Sequence, residues 1–400
     1  MRPQISVVAF LFCKMSRYHS YLKSAVQILE RYDGNEPFSS FQKKFFASDK
    51  KYGSKDRKQI SHLCYCYFRL GKAAMGIPVE ERILAGLFFC SDEPNEILAL
   101  LKPVWNEKID FPLQEKLSFL NHQLSSVFPW KEELSDRIDH EEFCKSFFIQ
   151  PDLFLRLRPG YENIVKEKLS AAEIDFKQIN SSYLVLPNAS KVDDIIELDK
   201  EAVVQDHSSQ RVGEFLSLVA GHHPSTVWDC CAGSGGKSLL LYDLFPSADL
   251  TVSDIRESIL ANLKKRFKNA GIRNYKGFIA DLVHSPLTTH HLPFDLILCD
   301  VPCTGSGTWS RTPEQLYYFE KKKIEEYVSL QRKIVSNVIP QLSPGGHILY
   351  ITCSVFKKEN EEVVEFMKQE FNLEILKTGL LKGYDKKADT MFAALLKKPL

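Results

Sequence analysis

Apolar positions recur three and four residues apart through most of residues 17–140. Tyr21, Leu22, Ala25, Val26, Ile28 and Leu29 fall on one helical face, and Asp33-Gly34 ends the run. Residues 56–71 repeat the pattern, with Ile60, Leu63, Tyr67 and Leu70 on the stripe, and stop at Gly71. Further helices are expected at 79–90, 94–101 and 113–128, punctuated by Pro103, Pro112 and Pro129. These stripes read as core, and nothing in this helical stretch carries chemistry. The period then changes. Residues 153–158 and 182–186 read as strands around a helix near 161–172, which predicts a small α+β module over 145–205. From 206 to 400 the apolar runs 225–230, 249–252, 276–279, 294–299 and 347–352 alternate with helical stretches. That alternation predicts βαβ units and a buried parallel sheet. The expected organisation is therefore helical over 15–140, α+β over 145–205 and α/β over 206–400.

The extreme N-terminus is ambiguous. Arg2 precedes an apolar run over residues 5–13. At about nine residues the run is too short to cross a bilayer, which takes roughly 20. No small-x-small cleavage site follows, and Met15-Ser-Arg opens a more ordinary start, so residues 1–14 are expected to be an upstream extension. No other segment reads as a membrane span.

Composition narrows the class. Apolar residues make up 44% and charged residues 26%, the profile of a soluble globular protein. A net charge of +1 gives no whole-chain field for a polyanion, so any nucleic-acid contact has to come from local clusters. Lys264-Lys265-Arg266 with Lys268, Lys321–Lys323 and Lys357-Lys358 are the candidates, beside the alternative that each is a solvated face. The ten cysteines show no disulfide spacing, and Cys64-Tyr-Cys66 has no matching pair for zinc, so no metal is expected. Free thiols in this number suit a reducing cytoplasm.

The run 227–238, with Cys230-Cys231-Ala232-Gly233-Ser234-Gly235-Gly236-Lys237 at its centre, follows a strand and opens a helix. Its glycines allow a tight turn and close ligand approach, with free N–H groups at the helix start. It is no phosphate-cradling loop, because Cys231 stands where that motif requires glycine. By itself it also fits a dinucleotide or a bare tight turn. The next two strands end in Asp254 and Asp281, after Asp229 at the end of the first. Acids there can accept ribose hydroxyls and the adenine amino group of an adenosine ligand; capping of the following helices is the alternative.

The fourth and fifth apolar runs end in Asp300-Val-Pro-Cys303 and Thr352-Cys353-Ser354. Ligands in parallel sheets bind beyond the carboxyl ends of strands, so both thiols and Asp300 are expected at one cofactor cleft. A thiolate that adds to carbon 6 of cytosine makes carbon 5 nucleophilic toward a methyl sulfonium. Asp300 is placed to supply a proton to the ring nitrogen or amine. Trp309, Tyr317, Tyr318 and Phe319 offer faces for an extruded base, or else pack internally.

These residues resemble the RsmB/Nop/Sun family of RNA cytosine-5 methyltransferases. The resemblance runs through the 229–238 glycine segment, Asp300–Cys303, Arg311-x-Pro313, Thr352–Ser354 with the trailing Glu359-Asn360-Glu361, and Gln205–Gln210 at the domain entry. Gly233 and Ser234 depart from the usual Ala and Pro. The resemblance implies a Rossmann-like, S-adenosylmethionine-dependent methyltransferase domain closed by an antiparallel hairpin near 372–377 and 390–396. It implies Cys353 as nucleophile and Cys303 as the residue aiding product release. It also implies cofactor contacts from residues 230–237, Asp254, Asp281 and Asp300. The N-terminal helices resemble the NusB-like RNA-binding domain of bacterial members, which implies 16S ribosomal RNA as substrate; transfer RNA stays open. A monomer is the expected state.

Overall fold

The computed structural model describes residues 7–49, 51–284 and 293–400. It divides the chain into two compact units. One comprises residues up to 131, 139–150 and 309–320. The other comprises 132–138, 151–308 and 321–400.

The first unit is helical. Its helices run Val7–Arg31, Phe38–Ser48, Ser54–Arg69, Val79–Phe89, Glu96–Leu101, Pro103–Asn106, Leu113–Phe119, His140–Ser146 and Pro313–Tyr318. Their starts are set by local chemistry: the Asn95 side chain accepts from the Ile97 and Leu98 N–H groups, and Asp139 from Glu142. The first helix already begins at Val7, inside the suspected extension; residues 1–6 of that extension lie outside the described residues. The single helix expected over 113–128 is instead broken. It ends at Phe119, Asn121 takes a left-handed φ of 57°, and a separate turn forms at Leu124–Ser126. Asparagine tolerates that conformation, and the His122 N–H closes the helix end on the Leu117 carbonyl. Cys64 and Cys66 are both buried in the core.

Residues 309–320 are part of this unit, and they bear on the two alternatives left open for their aromatic rings. Trp309 and Phe319 are buried. The Tyr67 and Tyr317 hydroxyls are hydrogen-bonded at 2.9 Å, and the Tyr318 hydroxyl donates to the Tyr32 carbonyl at 2.7 Å. The Arg82 guanidinium lies 4.8 Å from the Tyr67 ring and 5.2 Å from that of Tyr317. Trp309 and Phe319 are thus held by internal packing, which gains from burying large aromatic area, whereas Tyr318 stays 37% exposed.

The second unit holds two sheets. The smaller has the order β2-β3-β1-β4 and is antiparallel, with β1 Leu153–Leu157, β2 Lys177–Asn180, β3 Tyr183–Leu186 and β4 Ala202–Val204. Leu155, Leu157, Leu184 and Leu186 pack against Val165 and Leu169 of helix Glu162–Ala171. On the other face Arg156 and Arg158 reach Asp243 of helix Gly236–Leu244, at 2.5 and 2.7 Å.

The larger sheet contains β5 Thr226–Asp229, β6 Asp249–Asp254, β7 Lys276–Ile279, β8 Phe294–Asp300, β9 Leu342–Thr352, β10 Glu374–Leu381 and β11 Met391–Lys397. Its order is β10-β11-β9-β8-β5-β6-β7. The pairs among β5 to β9 are parallel, and β11 runs antiparallel between β9 and β10. This is the expected Rossmann-like α/β fold with its terminal hairpin. The chain order reverses between β5 and β8, so a crevice opens beyond their carboxyl ends. Core residues such as Val227, Leu296, Leu298, Leu349 and Ile351 keep these central strands dry, which is why they read as continuous apolar runs.

Candidate active site

The carboxyl ends of β5, β6, β8 and β9 carry the candidate site residues. After β5 the chain turns at Gly233 and Gly235, with φ of 53° and 85°, and enters helix Gly236–Leu244. A side chain at Gly235 would lie 2.9 Å from Leu263, whereas nothing stands within 4 Å of one at Gly233. The turn therefore packs closely on one side and faces open space on the other.

Asp254 ties β6 to this turn. Its Oδ2 accepts the Gly233 N–H at 2.9 Å, and its Oδ1 accepts the Arg256 backbone N–H at 2.9 Å and side-chain Nε at 3.1 Å. The carboxylate is buried while the Arg256 side chain is 61% exposed, so the arginine can be displaced by a ligand hydroxyl. Ile255 and Ile279, next to the two acids, are each 55% exposed. Exposed isoleucines beside a buried acid and an open glycine turn fit a flat ring joined to a ribose. These residues therefore suit an adenosine-bearing cofactor. Asp281 accepts from the Val283 and His284 N–H groups, which, Val283 first, lower its pKa. Not all of the 230–237 segment faces the cleft. Cys230 is interior, its N–H bonded to the Leu298 carbonyl, and burial drives its pKa well up. Cys231 is partly exposed.

Asp229 lies beneath the turn, fully buried, accepting from Ser238 Oγ at 2.6 Å. Burial, with Asp300 and Asp254 adding to it, pushes its pKa up to about 7 against the Ser238 hydrogen bond and Lys237. Lys237 reaches Asp300 at the end of β8, Nζ to Oδ2 2.6 Å. Burial alone would lower the Lys237 pKa, but Asp300 and then Cys353 outweigh it and hold the ammonium charged.

Cys303 and Cys353 follow adjacent strands β8 and β9. The Cys353 N–H donates to Cys303 Sγ at 3.2 Å, and the Gly307 N–H donates to the Cys353 carbonyl at 2.8 Å. A side chain at Gly307 would meet the Thr390 carbonyl at 1.9 Å, so only glycine lets the Cys303 loop lie this close to the segment before β11. Hydrogen bonding to Cys353 and burial both hold the Cys303 thiol protonated. Two thiols and a lysine–carboxylate pair thus lie together at neighbouring strand ends.

Other features were not legible in the sequence. Segment 132–138 bonds along the Cys353 loop: the Ser135 N–H donates to Val355 O at 2.8 Å and Lys357 N–H to Glu133 O at 2.8 Å. Its only sequence signal is a polar stretch after Pro129. The basic clusters are less available than they read. Arg266 pairs with Asp199 at 2.7 Å, Lys321 with Glu133 at 2.6 Å, Lys357 with Asp136 at 3.2 Å, and Lys358 with Glu325. Lys264, Lys265 and Lys268 stay exposed. Among the described residues no group of His, Cys, Asp and Glu is arranged to hold a metal, and no helix is long and apolar enough to cross a membrane.

Comparison with known proteins bears on the same half of the chain. Residues 216–395 match the family model for 16S rRNA methyltransferase RsmB/F. A ribosomal RNA small subunit methyltransferase B of Xanthomonas campestris is 26% identical over 246 residues, 58% of this chain and 55% of the relative. That of Salmonella paratyphi A is 30% identical over 204 residues, 49% and 47% of the two. The chain spans about half the length of these curated relatives. Among solved structures, PH0851 superposes with a TM-score of 0.67 at 19% identity, covering 96% of this chain and 98% of its own. NSun6 from Pyrococcus horikoshii with SFG gives 0.56 at 14% identity, covering 69% and 96%. These likenesses establish the fold of a methyltransferase. Over residues 216–395, which carry the motifs at the ends of β5, β8 and β9, the chain is similar to the 16S rRNA methyltransferase RsmB/F family.

Proposed function

We propose that this chain methylates carbon 5 of a cytosine in RNA, with 16S ribosomal RNA as substrate, S-adenosylmethionine as methyl donor and Cys353 as nucleophile. The observation that carries the reading is the Cys353 N–H to Cys303 Sγ contact of 3.2 Å, beside the Lys237–Asp300 pair. Gly233, Gly235, Asp254, Ile255, Ile279 and Asp281 would hold the cofactor, which supplies an electrophilic methyl group when bound. Cys353 acts as its thiolate, the nucleophilic form of a cysteine. That thiolate adds to carbon 6 of the base, while the Lys237–Asp300 pair provides the proton that neutralises the charge reaching the ring nitrogen. Carbon 5 takes the methyl group. Its hydrogen then leaves as a proton, with Cys303 as the accepting group after its own thiol proton has passed to solvent. The ring nitrogen returns its proton to the Lys237–Asp300 pair as the carbon 5–carbon 6 double bond re-forms and the carbon 6–sulfur bond breaks to return the Cys353 thiolate.

The relatives, ribosomal RNA small subunit methyltransferases, support this substrate. The helical unit is proposed as its NusB-like RNA-binding part, and the cytoplasm as its compartment. The test is incubation with tritiated S-adenosylmethionine and 16S ribosomal RNA. Label on cytosine is expected with the native protein and none with Cys353→Ala. Cys303→Ala is expected to accumulate a covalent protein–RNA adduct stable to denaturing electrophoresis. Label that survives Cys353→Ala removes the mechanism, and label on transfer RNA alone reassigns the substrate.

A further inference from the structure

The two cysteine loops are joined by a group that the reaction itself does not use. Glu359 is fully buried at the start of the segment leading into helix Glu361–Phe371. Its Oε1 accepts the Thr304 N–H at 2.9 Å and Gln331 Nε2 at 2.9 Å. Its Oε2 accepts the Thr304 hydroxyl at 2.6 Å and the Ser354 hydroxyl. An ionised carboxylate offers about four lone-pair sites, and here each oxygen meets two donors. Thr304 follows Cys303 directly, and Ser354 follows Cys353. Gln331 also donates to the carbonyl of Pro302, at 3.1 Å, on the other side of Cys303. Ser306 Oγ lies 3.2 Å from Ser354 Oγ and accepts the Val355 N–H at 2.9 Å. Burying a carboxylate is costly unless every lone pair is satisfied, so the arrangement is specific rather than incidental. Burial raises the Glu359 pKa, and the Ser354, Thr304 and Gln331 donors work against that rise.

We infer that Glu359 is a positioning residue: its carboxylate clamps the Cys303 loop to the Cys353 loop and so sets the separation of the two thiols. The inference rests on the proposed roles of those cysteines, but the clamp itself can be read without RNA. Diamide takes two hydrogen atoms from a pair of nearby thiols, leaving a disulfide and its own hydrazine. In the full chain it is expected to join Cys303 to Cys353, mapped by peptide mass spectrometry. Glu359→Gln replaces an acceptor with an amide that faces two donors. This cross-link should then form at least tenfold more slowly. In methyl transfer, kcat should fall about 10- to 100-fold while KM for S-adenosylmethionine stays within twofold, since misplacement by about an ångström costs rate rather than cofactor binding. A collapsed protein would lose both. Should Glu359→Gln fail to fold, Thr304→Val removes one donor at nearly constant shape and is expected to slow the cross-link at least threefold. Cross-linking at the native rate in the variants that fold overturns the assignment. A clamp-dependent cross-link in a protein that methylates no cytosine would leave the clamp standing and remove the proposed function.

Discussion

At the scale of single residues, Asp229 shows how position decides chemistry. It ends β5 as Asp254 ends β6, yet it lies under the glycine turn with a single hydrogen-bond donor, Ser238. Its pKa rises from the ordinary 3.8 to about 7. The folded protein therefore holds a proton that the unfolded chain releases at lower pH. The stability this contributes is complete below about pH 4 and is lost as pH rises to about 7. Asp229→Asn does not titrate, so its stability relative to the native protein should grow by up to about 4 kcal/mol between pH 4 and pH 7. Urea unfolding at several pH values measures this, and parallel curves for the two proteins would refute it. Cys303 and Cys353 were legible as a pair because each follows an apolar strand run. Glu359 was legible only as part of a motif, since one carboxylate among many in a polar stretch gives no sign that four donors will converge on it.

At the scale of elements, the small antiparallel sheet is tied to the larger fold through charge. Arg156 and Arg158 leave β1 and its end on the face away from the Leu155 and Leu157 core, and both meet Asp243 with almost no solvent access. Removing one partner of a buried ion pair strands the other charge, at about 3–5 kcal/mol. Asp243→Ala strands two guanidinium groups. Its urea midpoint should therefore fall by an amount matching at least that range, and a loss below about 1 kcal/mol would show that the arginines find other partners. The strands themselves were readable from their period, with β9 beginning five residues earlier than expected, at Leu342. The broken helix after Phe119 was not. The residues of 113–128 carry a continuous helical pattern, and only the Leu117–His122 closure around Asn121 shows why the helix stops.

At the scale of the whole molecule, two binding events are expected to be separable. S-adenosylmethionine at about a hundredfold its Kd should raise the unfolding free energy by about 2.7 kcal/mol. Asp254→Ala should lose most of that gain, and a nicotinamide dinucleotide should give none. Thermal melts with each ligand decide it, and an equal shift with the dinucleotide would sink the cofactor assignment. RNA affinity should depend on the lysines that remain free of ion pairs. The double substitution Lys264→Ala with Lys265→Ala is expected to reduce the salt slope of binding by about 1–2. Lys321→Ala, which breaks its pair with Glu133, should change affinity less than twofold. Equal effects of both would show that the ion-paired cluster also contacts phosphate.

What the sequence determined by itself was local and periodic. A 3.6-residue stripe buries one face of a helix, an apolar run fills a central strand, and residues directly after such strands fall at the carboxyl edge of a parallel sheet. By this rule the glycine turn, Asp254, Asp300, Cys303 and Cys353 all fall at that edge. The tertiary structure alone decided which partners those residues meet. Residues 132–138 and 309–320 each pack in the unit that does not contain their sequence neighbours, and Lys237, Gln331 and Glu359 converge on the thiol loops from separate elements. Such contacts join residues tens to hundreds of positions apart. Their energy comes from burial and hydrogen bonding in the folded state, and neither leaves a period in the chain.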